Sequence, residues 1–329
     1  MNPVKSSITV SAPGKIHLLG EHAAVYGKPV LLTTVALRAT ATITPPSFAV
    51  IPTKGPHWKW GGIQLTNKLR KIIEPIVKKH LKIKNIPPYR LTISSQIPLG
   101  AGLGSSAATS AAYITALLIF LKVKWDLNLI NDLTYEAEKV FHGNPSGGDN
   151  STVTFGGLVW FRKELPDLKI IQTVPFSIPK KLAKNFILIN TGKPKETTRQ
   201  MVEEVKSKIK SQKAKFEKIF NNQEQLVKDL YLAIQSGNEN QLIQIIKAGQ
   251  KNLEDIGVAS PFAKSIIRKI EKTGGAAKIC GGGGKTKATG ILLAYHSDKK
   301  VVEKIAKAEN LPFFSTTLGV EGVKIEKYE

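Results

Sequence analysis

The sequence predicts an α+β protein, on three observations. Runs alternating between apolar and polar residues occur at 8–12 and 89–97, the period of two expected of strands. Elsewhere apolar residues recur at helical spacing, as in Leu69, Ile72, Ile73, Ile76 and Val77. The two patterns are mixed along the chain without strict alternation, which argues against a doubly wound parallel sheet.

Taken in order, residues 8–12 read as a strand with Ile8, Val10 and Ala12 on one face. Residues 30–43, rich in Val, Thr and Leu, read as a strand or hairpin, and proline with small residues over 45–56 marks a loop. A helix over 65–81 follows, then Pro87-Pro88 breaks the chain before the strand 89–97. The glycine loop 100–104 opens an apolar helix reaching about Val123. Asn131 is placed to cap a helix through Phe141, with Leu133, Ala137, Val140 and Phe141 as its buried stripe. A turn over 143–150 precedes hairpin-like strands over 153–161 around Gly156-Gly157. The loop-like stretch 167–184 is the expected boundary, giving domains 1–175 and 176–329. Beyond it come a strand (185–191), mostly helical chain with outward lysines (197–256) and a helix (261–272). Residues 276–280, the tetraglycine 281–284, a strand (288–295), a helix (297–308) and a closing strand (323–327) complete the chain.

Bulk properties exclude several classes. With 329 residues and 42% hydrophobic content the chain buries a large core and is not globally disordered. A lone cysteine, Cys280, excludes a disulfide scaffold. The apolar stretch 111–121 is far short of the roughly 18 residues a bilayer helix needs, and Met1–Lys5 lacks a secretory pattern, so a soluble cytoplasmic protein is expected, with no membrane partner. Net charge is +23, yet only six of the 48 basic residues are arginine, the type that reads bases by a rigid fork. No aromatic run of the RNA-binding kind accompanies the charge. A lysine-rich solvated surface is therefore expected, and an RNA-binding protein, the reading from a different class, ranks low.

Glycine concentrates with polar residues in three segments: 13–27, 98–108 and 278–286. Clustered backbone N–H groups on such loops bind phosphate. Two nucleotide fingerprints fail. The Walker pattern ending in Gly284-Lys285-Thr286 has Ile279 where its first glycine belongs, and a dinucleotide pattern from Gly100 and Gly102 meets Ser105 instead of glycine. What remains is a strand, then Pro98, Gly100, Ala101, Gly102, Leu103, Gly104, Ser105 and Ser106, then a helix whose N-terminus suits a triphosphate.

In these segments the chain resembles the GHMP small-molecule kinases. Residues 12–23 (Ala-Pro-Gly-Lys-Ile-His-Leu-Leu-Gly-Glu-His-Ala) resemble their first motif, and 98–108 the second, the phosphate loop. Residues 143–150 (Gly-Asn-Pro-Ser-Gly-Gly-Asp-Asn) are similar to the family segment that carries a catalytic aspartate, and 278–284 stand where the third, glycine-rich motif belongs. There the chain departs from the usual pattern, with Cys280 before four plain glycines and then Lys285-Thr286.

The resemblance implies a two-domain α+β fold, with an N-terminal domain of ribosomal-protein type and a ferredoxin-like C-terminal domain. It implies transfer of the γ-phosphoryl of Mg²⁺·ATP to the hydroxyl of (R)-mevalonate, most closely among the family's acceptors. A sister kinase acting on phosphomevalonate, homoserine, galactose or another mevalonate hydroxyl is the alternative. Carried over position by position, Asp149 is the base or orienter of the hydroxyl, and Lys15 contacts both that aspartate and the acceptor oxygen. Ser106 and Glu138 would hold Mg²⁺, an oxygen-only set suited to that ion. Gly282 and Gly283 join the phosphate loop in holding ATP. Glu21, His22 and Thr198 (with Thr197 and Arg199 beside it) line the acceptor side together with Lys15 and Asp149. The family resemblance also implies a homodimer. Elsewhere, His17, His57, His80, His142 and His296 show no metal-ligand spacing, and Cys280 has no paired histidine to make it a nucleophile.

Overall fold

The structure, a computed structural model, describes residues 7–46, 62–98, 100–143, 145–165 and 168–328; the side chains of 62–65 are outside that set. Residues 47–56 of the expected proline loop, His57, and Leu99 and Asn144 of the motifs lie outside the described residues.

β1 (Ile8–Leu19) and β2 (Val30–Thr44) are joined through a 3-10 turn, Ala23–Tyr26. α1 (Gly62–Leu81), β3 (Arg90–Ser95), α2 (Ser105–Phe120), α3 (Leu127–His142) and α4 (Gly148–Phe155) follow. β4 (Leu158–Lys163), β5 (Lys169–Thr173), α5 (Lys180–Ala183) and β6 (Phe186–Asn190) lead into the second half. There α6 (Thr198–Ser211), α7 (Lys213–Ser236), α8 (Glu239–Asp255) and α9 (Pro261–Lys272) precede β7 (Ala276–Ile279) and β8 (Ile291–Tyr295). α10 (Lys299–Ala308), β9 (Phe313–Ser315) and β10 (Lys324–Tyr328) end the chain.

Two antiparallel sheets result among the described residues. The first runs β10-β1-β2-β4-β5, with β3 also on β2, whose two halves serve different partners: 39–44 pair with β3 and 30–33 with β4. The second runs β7-β8-β6-β9. Its chain order, strand, helices, two strands, helix, strand, is the split βαββαβ arrangement of a ferredoxin-like lobe. β10 crosses the expected boundary at residue 175 and edges the first sheet, pairing Ile8 with Tyr328.

Alternation explains how the second sheet is buried on both faces. Phe186, Leu188, Leu293 and Tyr295 belong to the large core of the first lobe, whereas Ile187, Ile189, Leu292 and Ala294 belong to the core under α6, α7 and α9. The lobes therefore share continuous apolar packing. α2 lies at its centre, buried at 13 of its 16 residues, and Thr109 and Thr115 satisfy their hydroxyls on carbonyls one turn back. A helix apolar on all sides must be buried, and this one pins the glycine loop that precedes it. No helix among the described residues is long and apolar enough to cross a membrane.

Several elements differ from the sequence expectation. β1 does not stop at Ala12 but runs through the first motif, absorbing Pro13 and Gly14 at a register shift where the strand bulges. Residues 30–43 form one strand, not a hairpin. Residues 148–155, expected as a turn and then strand, are helix α4. Its β-branched residues read as strand, but they are buried, and Thr152 donates to the Gly148 carbonyl at 2.7 Å within the helix. Asn131 is not a cap: Asp126 starts α3, accepting from the Leu129 N–H at 2.8 Å. The stretch expected as loop, 167–184, contains β5 and α5.

Candidate active site

The phosphate loop leaves β3 and wraps toward β1. Gly100, Gly102 and Gly104 all have left-handed backbone (φ 69°, 80° and 70°). The Leu103 carbonyl accepts from the Lys15 N–H at 2.9 Å, fastening the loop to the first motif. Gly104 is also a steric requirement, since a Cβ there would lie 2.7 Å from Cγ of Lys15. α2 begins directly afterwards with Gly104 as its N-cap, and no side-chain cap is made there among the described residues. Its first-turn amides remain donors at the positive end of a long helix. The Ser106 hydroxyl, which could have served as that cap, instead meets Nε2 of His142 at 3.1 Å.

Lys15, nearly buried on β1, extends its ammonium to Oδ1 of Asp149 at 3.0 Å. Asp149 sits on the first turn of α4, preceded by Gly147 in the left-handed region, and its side chain keeps 37% exposure. The pair is therefore closed on the lysine side and open to a ligand on the carboxylate side.

Glu138 faces the same space from α3. It is 1% exposed; Oε2 is 3.6 Å from Nε2 of His142, and Oε1 has no partner among the described residues. Burial pushes its carboxyl up to about 7, with a hydrogen bond from Ser106 opposing, the charge of Asp149 adding and that of Lys15 opposing. An orphaned, buried carboxylate oxygen beside a serine hydroxyl is a hard-oxygen pair, which fits Mg²⁺ completed by phosphate and water. Among the described residues there is no cluster of three His, Cys, Asp or Glu side chains that could hold a metal ion.

Three residues expected to line the acceptor side lie near one another. His22 donates from Nε2 to the Gly282 carbonyl at 3.1 Å, and Gly282 packs against Thr198, leaving 3.0 Å between a Cβ built there and the threonine. Thr197 caps α6 in a capping box with Gln200, so Thr198 occupies its first turn. Arg199 points outward, 87% exposed and paired with Glu203. Glu21 is buried, and its Oε1 forms an ion pair with Lys278. Gly283 approaches the Val258 carbonyl so closely that a Cβ would lie 2.2 Å from it. Lys285 does not reach the glycine loops: its ammonium is bound to Glu204 on α6 at 2.9 and 3.0 Å.

Sequence reasoning missed three residues here. Lys278 is one; a lysine within the short, wholly buried strand β7 was the available signal. Asn131 is another, accepting from Asn150 Nδ2 at 2.7 Å and Ser151 Oγ at 3.2 Å, which fixes the start of α4. His142, set aside for want of metal spacing, lies against Ser106 and Glu138. His17 is half-buried beside Lys15, with Nδ1 3.5 Å from its ammonium; desolvation first, then the charges of Lys15, Lys278 and His22, hold its imidazole pKa well below the ordinary value.

Comparison with known proteins gives this geometry its class. Residues 67–157 match the N-terminal domain of the GHMP kinases, so the class is that of GHMP small-molecule kinases. A mevalonate kinase from Archaeoglobus fulgidus is 31% identical over 274 residues, covering 83% of this chain and 88% of that one. The mevalonate kinase of Candida albicans is 27% identical over 97% of this chain and 90% of its own. By fold, the crystal structure of L. major mevalonate kinase in complex with R-mevalonate superposes with a TM-score of 0.80 at 22% identity, over 97% of this chain and 99% of that one. The chain belongs to the mevalonate kinase family.

Proposed function

We propose that this chain transfers the γ-phosphoryl group of ATP to the 5-hydroxyl of (R)-mevalonate, giving (R)-5-phosphomevalonate and ADP. The observation that carries the reading is the 3.0 Å contact between Lys15 and Asp149, with Glu138 and Ser106 beside it and glycine loops on either side. The acceptor oxygen would lie against the Asp149 carboxylate, which takes its proton as the new P–O bond forms and the bond to the ADP oxygen breaks. Because phosphoryl transfer asks mainly for positioning and charge stabilisation, Asp149 acts as much by orienting the hydroxyl as by basicity. The Lys15 ammonium stabilises the negative charge developing on the acceptor and transferring oxygens. The phosphate-loop residues Pro98 to Ser106 and the α2 N-terminus hold the polyphosphate, with Gly282 and Gly283 closing on it from the other lobe.

Ser106 and Glu138 would hold Mg²⁺, which supplies neutralisation of the β- and γ-phosphate charge. Mevalonate would be received by His22 and Thr198 across Gly282, with Glu21 behind them. The proposal includes a division into lobes 1–175 and 176–329, β10 returning to the first. It also includes a cytoplasmic homodimer that works without nucleic acid or membrane.

The test is ADP release dependent on mevalonate, with the product identified by phosphorus NMR. Phosphorylation of homoserine, galactose or phosphomevalonate, and none of mevalonate, would refute the acceptor.

A further inference from the structure

We infer that Lys278 is a positioning residue for the acceptor side: with Glu21 it forms the buried half of a two-point clasp joining the turn after the first motif to the tetraglycine loop. The inference rests on the phosphotransferase reading above.

The two points are adjacent on one side and close on the other. Lys278 pairs with Glu21 through Oε1, the two side chains being 0% and 1% exposed. His22, the next residue, donates to the carbonyl of Gly282, four positions beyond Lys278. The same ammonium lies 3.4 Å from the His17 carbonyl on β1 and 3.9 Å from Cys280 Sγ. One cation thus gathers β1, the turn and the start of the glycine loop.

Packing does not require a lysine there. The other three residues of β7 are Ala276, Ala277 and Ile279, and an apolar side chain would fill the position without the desolvation cost of a buried ion. Burial works against the ammonium, but Cys280 and Glu21 beside it hold its pKa above the ordinary lysine value.

What the pair holds in place is useful chemistry. Glu21 has one oxygen anchored on Lys278, while its Oε2 is buried without a partner among the described residues. An anchored carboxylate with one free acceptor suits a hydroxylated ligand that can donate to it. His22 beside it has φ 61° and ψ −46°, a backbone that a non-glycine residue keeps only where its surroundings over-determine it. The clasp supplies that constraint.

The test is Lys278→Met, compared with wild type on whichever acceptor the wild type uses. Acceptor KM should rise about tenfold or more, by a clearly larger factor than ATP KM, whose glycine loop the clasp also touches, and hydrogen exchange over residues 17–27 should quicken. Adding Glu21→Gln to it should raise acceptor KM less than about threefold further, because both changes act on one contact. If the methionine variant fails to fold, Lys278→Gln keeps a donor for Glu21 without the charge and should show the same split of KM values. A folded variant with wild-type acceptor KM, an equal rise in both KM values, or fully multiplicative effects of the two substitutions overturns the clasp. A wild type that prefers another acceptor overturns only the choice of mevalonate, since the exchange measurement needs no turnover.

Discussion

The Lys15 ammonium and the Asp149 carboxylate meet at 3.0 Å, although one belongs to the first strand and the other to a helix that begins far along the chain. Both stand on rigid elements: Lys15 is paired into the sheet opposite Thr34, and Asp149 rides on a helix whose start is buried. Removing the carboxylate charge should therefore cost rate and not nucleotide affinity. Asp149→Asn is expected to lower kcat by about 10²–10⁴-fold, the usual weight of a positioned proton acceptor. ATP KM should stay within about threefold. A coupled ADP-release assay reads both, and wild-type kcat in the asparagine variant would remove Asp149 from the chemistry.

Glu138 gives a prediction about stability as well as metal. Its carboxyl is raised to about 7 by burial, against an ordinary value of 4.5. In the unfolded chain it ionises near the ordinary value, so between the two the folded state keeps a proton that the unfolded state has released. This contribution to stability is complete below the ordinary value and is lost as pH rises through about 7, on the order of 3 kcal/mol. Glu138→Gln should flatten that part of the pH profile in chemical denaturation with chelator present. The same variant should need several-fold more Mg²⁺ for half-maximal turnover. An unchanged Mg²⁺ titration together with an unchanged pH slope would return Glu138 to an ordinary core acid.

How far the sequence discloses this site follows from which physics sets each part. The glycine loops and Asp149 were legible because backbone approach and charge are written in residue identity: Gly104 is required where Lys15 passes 2.7 Å from its missing Cβ. Helix α4 was not legible, since its Ser-Thr-Val-Thr run has strand propensity and only its burial among α2, α3 and the first sheet makes it helical. The closing strand β10 was legible, but not its partner: pairing with β1 is a long-range choice that local pattern does not carry. Lys278 was hidden among many solvated lysines, and only its all-buried strand distinguishes it.

Asn131 carries the third prediction. Its amide oxygen accepts from Asn150 at 2.7 Å and Ser151 at 3.2 Å, and the Asn150 Oδ1 already lacks a partner among the described residues. Asn131→Ala would leave Asn150 Nδ2 only its longer contact with the Asn131 backbone carbonyl, at 3.4 Å, and would take this acceptor from the Ser151 hydroxyl. The expected loss is about 1–3 kcal/mol in denaturant unfolding. Because Asn150 follows Asp149, kcat should also fall, by roughly tenfold, a consequence of a small displacement at the reacting centre. Equal stability and equal kcat in the alanine variant would mean that the start of α4 is held by packing alone.

Cys280 tests whether the junction between β7 and the tetraglycine loop stays closed in solution. Burial pushes its thiol up to about 11, with the charge of Lys278 opposing and that of Glu21 adding, so little thiolate exists at pH 8 in the folded protein. Alkylation by iodoacetamide at that pH should be at least about 100-fold slower than in the urea-unfolded chain, where the thiol returns to its ordinary value and is accessible. Saturating ATP should slow it further if the nucleotide closes the loop over this residue. Labelling of the folded protein at the rate of the unfolded chain would mean that the loop opens far enough to expose Lys278 and Glu21 as well, and the buried pair would then not hold the acceptor side in place.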